Sequence, residues 1–298
     1  MTIAKNYSTK SAGKKIRRRS ALRQRMIDDM QLRGLSQKTQ ERYIFGVQNL
    51  ACYYNRSPAK LSEEEVRSYF KYLKSETSLA ADTIRVTFFA VKFFFTMTLG
   101  CEWKIFDLIR LPQKKNLPVV LSYEEVKKVL SYVYHPTYRM CLTLIYACGL
   151  RLNECRNLML EDIDSALMVV RVVNGKGNKM RQVPLSEHIL KRLRQYWRIE
   201  RPGPWLFQSI KTGKAISAHS VQMAFRDACQ RAGIKKKATV HTLRHCYATH
   251  LLESQVDTRI IQSVLGHKSP KSTNIYTHLT SKTDLILNDA VNKLMAGL

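Results

Sequence analysis

The sequence is poor in acids, has no Cys-x-x-Cys pair and contains no long uncharged apolar run. Each absence removes a class of protein. Its seven cysteines are an odd number scattered through the chain, which argues against a disulfide framework or a zinc site and suits a reduced, cytosolic compartment. No apolar stretch approaches the roughly 18 residues that a membrane span needs. The N-terminal "MTIAKNYSTKSAGKKIRRRS" is basic with no apolar stretch behind it, so it does not read as a secretory signal. The chain also lacks internal repeats and low-complexity tracts.

The shortage of acids says most. Only 23 Asp and Glu face 50 Lys and Arg, leaving a formal charge of +27. A soluble chain carries that much self-repulsion most readily when a polyanion neutralises it. The basic residues are spread over the whole chain and not along one amphipathic face, which favours DNA or RNA over a membrane surface. The one candidate acidic metal cluster, "EDID" (Glu161, Asp162, Asp164), has no acidic partner elsewhere, and Asp in such a place commonly caps a turn.

A chain of 298 residues with 45% hydrophobic residues is large enough for two domains, each with its own core. Residues 1–26 hold nine Lys or Arg and no acid, and residues 1–19 read as a basic tail, solvated or tracking phosphates. Helical periodicity runs from about residue 20 to 111. "SALRQRMIDDMQLRG" comes first; Ser36 then N-caps a helix carrying Tyr43, Val47, Leu50 and Tyr54 at helical spacing. Ser62 and Glu65 make a capping box, and "DTIRVTFFAVKFFFTMTLG" predicts a helix ending at Gly100. About four helices in a small bundle follow. "LPQKKNLPVVLS" has the composition of a linker, placed at 113–120, and Ser122 with Glu125 restarts helical structure beyond it.

The second half differs in kind. "TYRMCLTLIYACGLRLNECRNL" predicts two helices broken at "ACGLR"; "ALMVVRVV" and "KMRQVPL" flank "NGKGN" as a β-hairpin; helices follow to the C-terminus. The fold class expected is mainly α with a small β-hairpin or sheet. Asp257 and Gly266 read as the caps of a helix with His267 just beyond it.

Cleaving a phosphodiester needs a nucleophile, cations for the non-bridging oxygens and an acid for the leaving alkoxide. In "HTLRH", His241 and Arg244 would share a helical face one turn apart, and the planar fork of Arg binds two phosphate oxygens together. "GLRLNE" puts Arg151 directly after a glycine turn, with Glu154 a turn later. Lys176 sits at the hairpin tip, with Lys179 as its rival in the same loop. Tyr276, in "NIYTHL", reads alone as a packing residue.

Taken in order, G-L-R-x-x-E, a hairpin with G-K-G, H-x-L-R-H, L-G-H and a tyrosine nine residues later resemble the tyrosine recombinases, or phage integrase family, especially its Xer-like and integron-integrase-like members. The likeness is dense over about 117–280; in the N-terminal half it rests on length and helix count. It implies a helical, SAM-like core-binding domain at 20–112 and a catalytic domain at 121–298. It implies that Arg151 and Arg244 clamp the scissile phosphate, and that His241 and His267 complete the site with Glu154 in support. Lys176 would protonate the leaving 5′ oxygen, and Tyr276 would be the nucleophile. No cofactor or metal is implied.

The expected partners are double-stranded DNA and three further copies of the chain on DNA, or a paralogous recombinase, with no membrane. A cytoplasmic, nucleoid-associated bacterial protein is expected, serving a mobile element or chromosome and plasmid resolution. "TDLILNDAVNKLMAGL" reads as a terminal helix that folds back on its own domain or, as the resemblance implies, is exchanged with a neighbour. The competing functions are a metal-dependent nuclease built on "EDID", a type IB topoisomerase that relaxes one strand, and a non-catalytic DNA-binding accessory protein.

Overall fold

The computed structural model describes residues 20–110, 118–173, 180–266 and 292–295. They form two compact units, divided between Asn116 and Leu117.

The first unit is helical: α1 (Ala21–Leu32), α2 (Gln37–Tyr54), α3 (Glu63–Ser75), α4 (Ala81–Phe93) and the single turn α5 (Ile105–Leu108). Its starts are local chemistry. Ser20 and Ser36 accept from the backbone N–H of Arg23 and Thr39, and Ser62 and Glu65 form the full capping box. Met30, Leu50, Val66, Phe70, Phe88 and Phe95 fill the core. Gly46 lets α2 lie close to α4, because a Cβ there would stand 2.9 Å from that of Ala90.

The sequence predicts one α-helix running to Gly100. The structure instead ends α4 at Phe93, widens to a π-turn over Phe94–Thr98 and caps at Leu99. The wide turn is closed by Leu99 N–H to the Phe94 carbonyl, and it buries the consecutive rings of Phe94 and Phe95 together. Helix α5 was not expected either. It is fixed from outside: Ile105 N–H donates to Glu63 Oε1 at 2.7 Å, and Ile105 and Phe106 are buried.

The second unit contains α6 (Tyr123–Ser131), α7 (Pro136–Cys148), α8 (Leu152–Arg156), β1 (Ile163–Asp164), β2 (Val169–Val173), β3 (Met180–Pro184), α9 (Glu187–Glu200), α10 (Ala218–Arg231), α11 (Val240–Glu253) and α12 (Thr258–Leu265). Helix α7 is the axis, buried without a break from Met140 to Cys148. Proline at its first turn and left-handed Gly149 after its last residue set its ends. The hairpin expected from sequence is β2 and β3, antiparallel with Val170 opposite Val183, and β1 adds a third strand through Ile163 opposite Val170. The chain is thus mainly helical with a small antiparallel sheet. Met295 is fully buried in this unit's own core, with Leu294 packed beside it.

Candidate phosphodiester site

The site begins at the end of α7. Gly149 adopts φ 58°, and a Cβ there would stand 2.5 Å from Tyr247 Cδ1 and 2.8 Å from Leu265 Cδ2. Only glycine fits this turn, which delivers Arg151 in extended conformation as the residue before α8. Glu154, one turn into α8, reaches back: its Oε2 accepts the backbone N–H of Arg151 at 2.8 Å and its Oε1 accepts Arg151 Nη1 at 2.7 Å.

The same carboxylate receives a second arginine. Arg181, on β3, donates Nη1 to Oε1 at 3.0 Å and Nη2 to Oε2 at 2.8 Å. A third, Arg244 on α11, stands with Nη1 3.9 Å from Glu154 Oε2. Burial alone would raise the pKa of Glu154, but hydrogen bonds from Arg181 and Arg151 overcome it and hold the carboxyl at about 2. Three guanidiniums around one carboxylate leave a net positive, largely buried cluster.

Arg244 is only 2% exposed. It donates Nη1 to the Gly149 carbonyl and Nη2 to the Leu265 carbonyl, each at 2.6 Å. Burial, then the charge of Arg151, lowers its pKa to about 10, so it stays cationic at neutral pH. The bond to Leu265, with Arg181 Nε on the Val264 carbonyl at 3.0 Å, satisfies carbonyls that the end of α12 leaves without helical partners. Asp257 N-caps α12 and left-handed Gly266 ends it, as the sequence predicts.

His241 lies one turn before Arg244 on α11, exposed, with its ring edge-on to that of His245 at 4.7 Å. Burial and then the charge of Arg244 lower the pKa of His245. Of the predicted site residues, Arg151, Glu154 and Arg244 are therefore brought together, with His241 on the same helix as Arg244. Lys176, Lys179, His267 and Tyr276 lie outside the described residues.

Sequence reasoning passed over two polar residues. Arg181 in "KMRQVPL" looks like an ordinary strand arginine. His250 is buried on α11, with Nδ1 2.7 Å from the Tyr146 hydroxyl and Nε2 3.0 Å from the Leu121 carbonyl. It pins the segment entering α6 to the helix that carries His241 and Arg244.

The acids of "EDID" have local work. Asp162 accepts the N–H of Met159 at 2.7 Å, while Asp164 accepts those of Ala166 and Leu167 and pairs with Arg171. Among the described residues no three His, Cys, Asp or Glu are grouped to hold a metal ion, and no helix is long and apolar enough to cross a membrane. All seven cysteines are free thiols.

Comparison with known proteins identifies the family of the chain. Residues 120–283 match the phage integrase family, and residues 22–105 match the phage integrase N-terminal SAM-like domain. A putative integrase/recombinase, y4qK, of Sinorhizobium fredii is 41% identical over 261 residues, covering 87% of this chain and 85% of that protein. The tyrosine recombinase XerA of Pyrococcus horikoshii is 30% identical over 268 residues, covering 89% and 90%. Among solved structures, a lambda integrase tetramer bound to a Holliday junction superimposes with a TM-score of 0.70 at 18% identity, covering 84% of this chain and 77% of that one, which is a likeness of fold. Matching the family model over more than half its length, and 41% identical to an integrase/recombinase over most of both chains, the chain belongs to the phage integrase family of tyrosine recombinases.

Proposed function

We propose that the protein is a site-specific DNA recombinase that cuts and rejoins strands through a 3′-phosphotyrosine on Tyr276 and a Holliday junction. The observation that carries this reading is the convergence of Arg151 and Arg244 beside a single, already occupied carboxylate. Arg244 has five N–H donors and commits two to carbonyls, so donors remain for phosphate oxygens. Arg151 is half-exposed at the start of α8 and supplies the second fork. A free phenol has a pKa of about 10, and a ring of cations lowers the cost of forming the phenolate. Tyr276 releases its phenolic proton to solvent; as the bond from its Oη to phosphorus forms, the bond to the 5′ oxygen breaks, and that oxygen takes a proton from Lys176. His241 and His267 contribute hydrogen bonds to the phosphate. Attack by a 5′ hydroxyl on the phosphotyrosine reverses the sequence and frees Tyr276.

In this reading residues 20–112 and 121–298 both contribute to binding duplex DNA, with 113–120 as the linker. Four copies, or two with two of a paralogue, act on two paired sites, and on DNA the C-terminal segment leaves the position in which Met295 packs within the single chain and docks on a neighbour. The integrase/recombinase relatives favour a mobile element as the setting, with the protein held at the nucleoid by DNA.

The test begins with a library of random duplexes nicked near the point of cleavage. Wild-type protein should capture a subset covalently, and their common sequence supplies the site. Tyr276→Phe should bind that site and give no adduct, and excess EDTA should leave wild-type capture unchanged. An adduct in Tyr276→Phe overturns the nucleophile. Loss in EDTA with rescue by Mg²⁺ restores Glu161, Asp162 and Asp164 as ligands.

A further inference from the structure

Glu154 raises a question that the phosphate clamp does not answer. A buried carboxylate beside two phosphate-binding arginines is a competitor for them, since an Arg–carboxylate pair uses the same fork geometry as Arg–phosphate. We propose that Arg181 is a positioning residue that, beside the bonds Arg151 already makes to Glu154, occupies both oxygens of that carboxylate and so keeps Arg244 available to DNA.

The geometry is specific. Arg181 meets Glu154 fork to fork, one nitrogen on each oxygen, at 3.0 and 2.8 Å. Its remaining nitrogen, Nε, is committed to the Val264 carbonyl at 3.0 Å. With a donor from each of its three nitrogens engaged, Arg181 is committed to protein partners, whereas Arg244 commits only Nη1 and Nη2 to carbonyls. Its stem lies across Gly266, where a Cβ would stand 3.1 Å from Arg181 Cδ, so the glycine makes room for it. Arg181 thus braces β3 against both α8 and the end of α12.

Its absence has a definite consequence. Arg244 Nη1 already lies 3.9 Å from Glu154 Oε2, just beyond hydrogen-bond distance. Without Arg181, the carboxylate keeps its bonds from Arg151 but has acceptor positions to fill, and Arg244 is the cation standing next to them. It would draw the Arg244 fork inward and cancel charge meant for the scissile phosphate. Arg181 therefore controls the clamp without touching the substrate.

This inference rests on Arg151 and Arg244 being the clamp, and the experiment separates the two. Adduct formation is timed at saturating DNA on two nicked substrates: one with an ordinary scissile phosphate, one with a methylphosphonate there. The methyl group removes the negative charge, so the second substrate needs the cationic clamp far less. Arg181→Met is expected to lose about 100-fold on the phosphodiester, the scale of a misplaced catalytic group, and less than about threefold on the methylphosphonate. Adding Glu154→Gln should restore most of the phosphodiester rate, because the competitor is gone. Equal losses on both substrates, or no recovery in the double variant, overturn the proposal, since a merely structural role moves both rates together. Should Arg181→Met fail to fold, Arg181→Lys is used: it keeps the charge but loses the fork, and the same substrate contrast is expected at smaller size. No adduct from wild-type protein on any DNA would instead overturn the proposed function.

Discussion

Arg244 Nη1 donates to the carbonyl of Gly149 at 2.6 Å, across 95 residues of sequence. Gly149 is the turn that presents Arg151, so one arginine of the cluster is held by the backbone that aims the other. The separation of the two cations is set through a single peptide group. Gly149→Ala tests this. The new methyl would meet Tyr247 and Leu265 at well under contact distance, in a backbone conformation that L side chains rarely adopt. The variant should lose more than about 2 kcal/mol of stability in urea unfolding and should cleave more slowly even where it remains folded. Unchanged stability with full activity would show that the turn relaxes freely.

Lys176 is expected to act on the leaving group. Lys176→Ala should bind DNA normally and cleave about 100-fold more slowly or worse, the usual scale for loss of a general acid. A substrate with a bridging sulfur at the 5′ position, which departs without a proton, should recover most of that rate. If Lys179→Ala behaves in this way and Lys176→Ala does not, the other lysine of the "NGKGN" loop and its flank is the acid.

What the sequence disclosed follows from the range of the interactions involved. Ser36, Ser62 with Glu65, Ser122 with Glu125, and Asp257 with Gly266 are caps whose partners lie within a turn, so the local pattern suffices to read them. The π-turn after Phe93 and helix α5 depend on packing and on Glu63, 42 residues before Ile105, and no local pattern announces them. The site divides the same way. Arg151, Glu154, His241 and Arg244 were visible because their motifs are compact. Arg181 was not, because its partners Glu154 and Val264 lie 27 and 83 residues away. His250 reaches further still, to Tyr146 and Leu121.

The C-terminal segment offers a test of where it docks. In the single chain Met295 is fully buried in its own domain's core. Met295→Ala should therefore destabilise the free protein by about 2 to 5 kcal/mol, independent of protein concentration. A segment that finds its place only on a neighbour would give no loss in dilute protein. A loss that grows with protein concentration would likewise point to docking between copies. Deleting 284–298 should, in addition, weaken pairing of two DNA sites more than binding to one.

Glu154 predicts a pH dependence whose sign can be worked out. Its folded pKa of about 2 lies below the unfolded carboxylate value of about 4.3. A depressed carboxylate stabilises the fold fully above its unfolded pKa, and that contribution disappears as pH falls through the folded one. The shift corresponds to about 3 kcal/mol, of which roughly half should be gone by pH 3. Glu154→Gln cannot ionise, so its stability should lack this component. Urea unfolding of both proteins from pH 7 to pH 2 measures the difference directly. Wild type should hold its full advantage from pH 7 to about pH 5, then converge on the variant below pH 4. A difference that stays constant down to pH 2 would mean that Glu154 is not held ionised by Arg181 and Arg151, and that the charge balance of the cluster must be redrawn.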